Sequence, residues 1–337
     1  HLLTQEFIRM KTAFLDYKTV DPGDLDLSPL RNITPNLILH DKTAPEEINE
    51  RIQDADIIII NKIKLDVANL YQAKKVKLIC LVATGTDNVD LVAANKQGIT
   101  VCNIKNYCTD SVVQHVVLSI LSLSHHFDEY QVSLKQGLWQ KSEQFCLLQY
   151  PITELCSKTL GIVGLGVLGS AVAKLAVSFG MRILVAKSFR PENSSQKNEQ
   201  QTPEFKRVSF QDLVVQSDVI SLHCPLTADT KGLFDLQVFK SMKKNALLIN
   251  TARGGLINDE ALLHALENKL IAGAALDVLD HEPPAEDHPL LTSGLPNLIV
   301  TPHIAWTAKE ARQRSLDEVA KNIDCYLAGD PRNVVTG

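Results

Sequence analysis

Short apolar runs recur along the first hundred residues, at 13–15, 36–39, 56–60, 77–82 and 100–102, and the stretches between them carry apolar positions at helical spacing. Runs this brief, alternating with helical patterns, predict βαβ units on a mostly parallel sheet. A longer pattern follows, in which Val112, Val113, Val116, Val117, Ile120 and Leu121 recur with a period near 3.6. It predicts one helix over 111–130, a connector to a second domain. From Thr159 the alternation restarts, with strands predicted at 160–163, 182–186, 219–222, 246–250, 272–276 and 298–301 and helical patterns between the first five. Six near-continuous apolar strands of this kind describe a doubly wound nucleotide-binding sheet. After Trp306, Thr307 and Glu310 have capping-box spacing, and Leu316, Val319, Ile323 and Leu327 supply one face of a final helix before Gly329 and Pro331.

That helix is expected to return to the first domain. The chain then reads as two Rossmann-like, doubly wound parallel-sheet α/β domains, the nucleotide-binding one inserted into a discontinuous partner. The expected limits are 10–106 with 304–337 for the discontinuous domain and 107–303 for the nucleotide-binding domain, with residues 1–9, ahead of Met10, an N-terminal extension. A length of 337 residues accommodates two such cores. The segment 136–151 has no periodicity yet carries Trp139, Phe145 and Leu147, and it is expected to be an arm covered by a second copy in a homodimer. The polar stretch 188–203 reads as a surface loop.

Composition narrows the partners. Hydrophobic residues at 45% and charged residues at 22% exclude a disordered chain. The 34 basic and 39 acidic side chains leave a net charge of −5, which argues against a nucleic-acid binder. No apolar run approaches the ~20 residues of a membrane span, and the N-terminus lacks the order of a signal peptide, so a cytoplasmic location is expected. Seven dispersed cysteines without CxxC spacing argue against a disulfide framework or a zinc site.

Gly164-Leu165-Gly166-Val167-Leu168-Gly169 lies directly between a predicted strand and a predicted helix. There the first glycine permits a tight turn, the second lets backbone approach a pyrophosphate, and the third allows close helix–strand packing. The fingerprint then departs from the NAD pattern. Where an acidic residue would accept hydrogen bonds from the ribose diol, the second strand ends in Lys187-Ser188-Phe189-Arg190, and Lys187 and Arg190 suit a 2′-phosphate. NAD and NADP both remain open on these residues.

Three further peptides sit just past predicted strand ends: Asn250-Thr251-Ala252-Arg253-Gly254-Gly255, Asp277-Val278-Leu279-Asp280-His281-Glu282, and Thr301-Pro302-His303-Ile304-Ala305-Trp306. Carboxyl ends of strands line the ligand crevice in doubly wound sheets. Taken singly, Arg253 reads as a capping cation, Glu282 as a turn carboxylate and His303 as a core histidine. Together behind a cofactor loop they match hydride chemistry on a 2-oxo acid. Arginine binds a carboxylate bidentately, histidine titrates in the range needed to give an alkoxide its proton, and a carboxylate on the other ring nitrogen orients the imidazole. His125, His126, His281 and His288 lack paired ligand spacing, so no metal is assigned.

With His223-Cys224-Pro225-Leu226-Thr227, these peptides resemble the D-isomer-specific 2-hydroxyacid dehydrogenase family over essentially the whole chain after residue 10. Asp21-Pro22-Gly23-Asp24-Leu25, the stretch from Ala83 to Asp90, Thr109 to His115, and His303 to Trp306 are most similar to its glycerate dehydrogenase, or hydroxypyruvate reductase, branch. The resemblance implies an oxidoreductase acting on a small D-2-hydroxy acid or 2-oxo acid. It implies that Arg253 binds the substrate carboxylate and carbonyl, that His303 is the acid/base, and that Glu282 supports His303. It also implies that Asp277 meets the nicotinamide amide, that Thr84 and Gly85 offer a backbone nest to the carboxylate from the other domain, and that Trp306 lines the substrate pocket. Cys224, Pro225, Thr251, Ala252 and Arg253 would line the cofactor cleft, with further contacts at Val112, Lys187, Ser188, Thr230, His303 and Ala305. Alternatives are another dehydrogenase of the family, or a dinucleotide-sensing corepressor without turnover, a reading that the lack of a long tail after the last helix disfavours. Glu282 opposes the formate dehydrogenase branch, which resembles a glutamine there, and phosphoglycerate dehydrogenase usually carries an extra regulatory domain.

Overall fold

The computed structural model describes residues 9–189 and 205–335, which fall into two compact units. Most of the expected N-terminal extension and Arg190 lie outside the described residues, as does most of the polar stretch 188–203. The first unit comprises the chain up to Cys108 and from Trp306 onward; the second runs from Thr109 to Ala305.

The first unit holds a five-stranded, all-parallel sheet of β1 (Lys11–Phe14), β2 (Asn36–Leu39), β3 (Ile57–Ile60), β4 (Leu78–Leu81) and β5 (Thr100–Cys102), in the order β2-β1-β3-β4-β5. The four isoleucines of β3 are all buried, because the sheet is covered on both faces. Alternation sends Ile58 and Ile60 to one core with Ile52, Leu70 and Ala94, while Ile57 and Ile59 join Leu30, Leu316, Val319 and Ile323 in the other. The helices are α1 (Ser28–Ile33), α2 (Ile48–Ile52), α3 (Val67–Gln72), α4 (Leu91–Lys96) and, from the end of the chain, α12 (Lys309–Leu327).

The second unit contains α5 (Thr109–His125), α6 (Phe127–Lys135), β6 (Thr159–Val163), α7 (Val167–Ser178), β7 (Arg182–Ala186), β8 (Lys206–Val208), α8 (Phe210–Gln216), β9 (Val219–Leu222) and α9 (Leu236–Ser241). It continues through β10 (Leu247–Asn250), α10 (Asp259–Glu267), β11 (Gly273–Leu276), α11 (Pro289–Thr292) and β12 (Leu298–Val300). Its seven parallel strands lie in the order β8-β7-β6-β9-β10-β11-β12. Phe189, just past β7, begins an aromatic series that runs edge-to-face through Phe210 and Phe234 at 5.6 Å spacings and on to Phe239 by a tilted contact at 6.1 Å, tying the end of β7 to the core.

Three expectations change. The sheet has seven strands instead of six, because β8 is a three-residue edge strand in which only Val208 is buried. The helix expected over 111–130 is two helices: His126 adopts φ 49°, donates from Nδ1 to Glu129 Oε1 at 2.9 Å, and stacks on Tyr150. The N-cap of the last helix falls one residue after the expected Thr307. Ala308 stands at the N-cap without a side-chain cap, and the Thr307 carbonyl instead accepts from Arg312 Nε, whose guanidinium grips Asp24. The segment 136–151 is pinned by Trp139 Nε1 donating to Phe145 O and Tyr130 Oη donating to Tyr150 O, yet Phe145 and Leu148 are 90% and 81% exposed.

Candidate active site

The glycines after β6 do three different things. Gly164 turns the chain at φ 98°, and a Cβ there would stand 2.6 Å from Cys224 N and 2.7 Å from His223 O. Gly169 approaches so closely that its Cβ would lie 2.1 Å from Gly164 O. Gly166 is the opposite case: it is exposed, and a Cβ would meet nothing within 4 Å. It forms the N-cap of α7 with no side-chain cap and no acidic residue in the first turn. The N–H groups of Val167, Leu168 and Gly169 therefore have no intrahelical acceptor and lie at the positive end of the helix dipole. An open, glycine-flanked helix start of this kind fits a pyrophosphate. Leu165 is half-buried on the turn itself.

Neighbouring strand ends complete the crevice. His223 follows β9, its N–H donating to Val163 O at 2.7 Å and its Nε2 2.8 Å from Ser221 Oγ; burial depresses its imidazole to about 4, so it is neutral at pH 7. Burial pushes the Cys224 thiol up to about 11, so it lines the crevice as an uncharged group. Pro225 is exposed, and its carbonyl accepts from buried Thr230 Oγ1. Thr251 Oγ1, after β10, is buried without a hydrogen-bond partner, an orphan that a bound cofactor suits. Ala252 N donates to Asn250 Oδ1. Lys187 and Ser188 are exposed past β7, and Lys187 N donates to Val208 O, which fixes its backbone to the edge strand.

The three candidate side chains, Arg253, Glu282 and His303, occupy the loops after β10, β11 and β12. Arg253 Nη1 donates to Ala252 O, and Asn250 Nδ2 donates to Arg253 O, holding the loop against its strand. Gly254 locks this loop to the next one, since a Cβ there would stand 1.9 Å from Leu279 C. Glu282 uses both oxygens: Oε1 accepts from Leu279 N at 2.9 Å, and Oε2 lies 2.6 Å from His303 Nδ1. A carboxylate only accepts, so His303 carries its proton on Nδ1 when neutral and presents Nε2 on the other side of the ring. His303 itself has φ 55°, in the left-handed region.

Asp277 is buried, and three of its roughly four lone-pair sites are occupied by its own chain. Oδ1 accepts from Thr301 Oγ1 at 2.5 Å and Ile304 N at 2.9 Å, and Oδ2 accepts from Ala305 N at 2.8 Å. Ser111 Oγ donates to Ala305 O at 2.6 Å, and His115 Nε2 lies 3.1 Å from Thr301 Oγ1. Val112 is buried on the same helix turn. Ser111, His115, Thr301 and Gly254 all lie in peptides that stand out in the sequence, which assigned them no role; the four-residue spacing of Ser111 and His115 puts both on one helix face.

In the first unit, the candidate substrate residues follow β4. Thr84 Oγ1 donates to Ile104 O, and Asn103 Nδ2 donates to Thr84 O, which fixes the Thr84-Gly85 backbone to the end of β5. Trp306 packs edge-on to Tyr107 at 6.3 Å. Among the described residues no group of three or more His, Cys, Asp or Glu is placed to hold a metal ion, and no helix is long and apolar enough to cross a membrane.

Comparison with known proteins agrees with this geometry. Residues 117–305 match the profile of a family described as D-isomer specific 2-hydroxyacid dehydrogenase, NAD binding domain. The chain is 45% identical over 326 residues to a glycerate dehydrogenase of Methylorubrum extorquens, covering 96% of this chain and 98% of that one. It is 36% identical over 329 residues to a hydroxypyruvate reductase of Blautia hydrogenotrophica, covering 97% and 99%. Among solved structures, an acyclic imino acid reductase in complex with NADPH and D-Arg superposes with a TM-score of 0.84 at 28% identity, covering 97% of this chain and all of that one.

Proposed function

The chain belongs to the D-isomer-specific 2-hydroxyacid dehydrogenase family, and from that premise we propose that it is a glycerate dehydrogenase, reducing hydroxypyruvate and glyoxylate and oxidising D-glycerate in reverse. It is an oxidoreductase of CH–OH groups that uses NAD or NADP. The observation that carries the site assignment is the 2.6 Å contact of Glu282 with His303 Nδ1, in the same unit as the glycine loop. The choice of substrate within the family rests on the glycerate dehydrogenase and hydroxypyruvate reductase relatives.

Bound nicotinamide cofactor supplies the hydride chemistry. The Gly164–Gly169 turn and the start of α7 hold its pyrophosphate through backbone N–H groups. Lys187 and Ser188 meet the adenosine ribose, and with no carboxylate at the end of β7, either a 2′-hydroxyl or a 2′-phosphate is accommodated. Asp277, with one acceptor direction left, would hold the carboxamide, and Thr251 and Ala305 would line the cofactor cleft. Arg253 binds the substrate carboxylate and polarises its carbonyl. Thr84, Gly85 and Trp306 of the first unit are proposed as further substrate contacts. His303 Nε2 gives its proton to the carbonyl oxygen as the carbonyl carbon is reduced, and Glu282 stabilises the imidazolium and holds the ring in register. In oxidation the same nitrogen takes the hydroxyl proton.

The homodimer and the cytoplasmic location belong to the same proposal. Phe127, Val132, Trp139, Phe145 and Leu148 leave an apolar surface exposed on α6 and the segment after it, which a second copy would cover. Light scattering should give twice the chain mass; a monomer refutes the arm.

Following nicotinamide absorbance with hydroxypyruvate, glyoxylate, pyruvate and formate, each with both cofactors, tests the activity. Hydroxypyruvate is expected to give the highest kcat/KM, and no turnover of any 2-oxo acid overturns the reading. His303→Ala should lower kcat by ~10³-fold. Arg253→Ala should act mainly through the substrate KM.

A further inference from the structure

We infer that Ser111 and His115, on the first two turns of α5, are positioning residues for His303, acting through the loop that carries it. The inference rests on the functional reading above, in which His303 moves the proton.

His303 sits at the middle of the five residues 301–305 with its backbone at φ 55°. A histidine in the left-handed region persists only where its surroundings over-determine it, and such outliers concentrate where geometry serves function. Here the surroundings are visible on both sides of the residue. Asp277 takes the Thr301 hydroxyl, the Ile304 N–H and the Ala305 N–H. The loop is then held a second time from α5: His115 Nε2 meets Thr301 Oγ1 at 3.1 Å at its start, and Ser111 Oγ donates to Ala305 O at 2.6 Å at its end. Residues four apart share a helix face, so one rigid surface sets the separation between the two ends of the loop.

Hydrogen-bond direction makes the His115 contact specific. The Thr301 hydroxyl has a single proton, and that proton is donated to Asp277 Oδ1. Its oxygen therefore receives from His115, so Nε2 carries an N–H, and His115 works here as a donor. The donor also stands 3.7 Å from Asp277 Oδ1, on a side chain that is only 13% exposed. Without it, the Thr301 hydroxyl keeps its bond to Asp277 but the start of the loop is held once instead of twice, which lets the His303 ring drift relative to Glu282 and the substrate oxygen. A displacement on the order of 1 Å at a proton donor costs turnover far more than it costs binding.

The test measures kcat, the hydroxypyruvate KM, the cofactor Kd and the melting temperature of His115→Leu, His115→Gln, Ser111→Ala and His303→Ala. His115→Leu is expected to lower kcat by about 10-fold with KM and Kd within about 2-fold of wild type, because positioning is lost while Arg253 and the glycine loop are untouched. His115→Gln, whose amide N–H restores the donor to Thr301, should recover kcat to within about 3-fold, and Ser111→Ala should lower it by about 3-fold. A kcat loss in His115→Leu that glutamine does not recover, at equal melting temperature, overturns the inference. Wild-type kcat in His115→Leu and Ser111→Ala alongside an inactive His303→Ala does the same. Wild-type turnover in His303→Ala instead removes the functional reading beneath it. If His115→Leu does not fold, the glutamine and Ser111→Ala variants decide the matter by the same kcat-against-KM comparison.

Discussion

Both sheets reverse their winding beside their first strand, between β1 and β3 in the first unit and between β6 and β9 in the second. Parallel doubly wound topology opens a crevice at each such point. The two are furnished in opposite ways. In the first unit, Asp16 follows β1 and turns its carboxylate inward, Oδ1 accepting from Asn61 N at 2.9 Å and Oδ2 from Lys62 N at 2.6 Å and Ile63 N at 3.2 Å. Burial raises the Asp16 carboxyl above the usual range, against the lowering effect of those three N–H groups. In the second unit the corresponding turn carries Gly164 and Gly166, and a Cβ at Gly166 would meet nothing within 4 Å. The topology creates a cluster of donors at both places. Whether the chain neutralises them itself or leaves them to a phosphate depends on a few side chains.

That contrast is open to attack by substitution. The largest effect is expected from Gly164→Ala, where a left-handed φ and a backbone nitrogen 2.6 Å from the new Cβ leave no room; it should destabilise the protein by about 3 kcal/mol, read by denaturant unfolding. Gly166→Asp installs in the second crevice what the first already has. An aspartate at an N-cap suits the helix, so the melting temperature should hold or rise, while the carboxylate opposes the pyrophosphate and weakens NADH binding by about 100-fold, or ~2.7 kcal/mol, in a fluorescence titration. Tight NADH binding in that variant would dissolve the distinction between the two crevices. Asp16→Ala strips the first crevice of its acceptor and should cost about 2 kcal/mol, with the loop 61–63 gaining hydrogen exchange.

The smallest effect concerns pH. His223 borders the open crevice, and burial lowers its imidazole from 6.5 to about 4. The folded state therefore refuses a proton that the unfolded chain accepts. Its contribution to stability is whole above pH 6.5, is lost as pH falls through 6.5, and levels off below about 4. Between pH 7 and 5.5 this amounts to about 1 kcal/mol, and His223→Gln should flatten that part of the stability profile. An unchanged slope would mean that the imidazole is not desolvated by this strand end.

The apolar strands were legible because burial on both faces writes them as unbroken runs, as in Ile57 to Ile60. Lys206-Arg207-Val208 was not, because an edge strand needs only one apolar residue to pair. The break at His126 left no mark in the periodicity either: a ring stacked on Tyr150 and bonded to Glu129 is a tertiary contact, absent from any local pattern. Glu282 and His303 were visible as chemistry, and the fold sets them 2.6 Å apart across 21 residues of sequence. Ser111 and His115 lay in a stretch the sequence marked out, but what they do was hidden for the opposite reason. On an amphipathic helix two polar residues read as the solvated face, and only the position of the loop 301–305 shows that this face is engaged.

The phenylalanine series from Phe189 to Phe239 has a consequence for how such an enzyme diversifies. It anchors the backbone immediately after Lys187 and Ser188 to the core, while those two side chains stay in solvent. In the proposed reading, stability and cofactor preference are thus written in adjacent but separate residues. A lineage is free to exchange charge at Lys187 as its cell's supply of reduced nicotinamides changes, and selection meets no folding defect along the way.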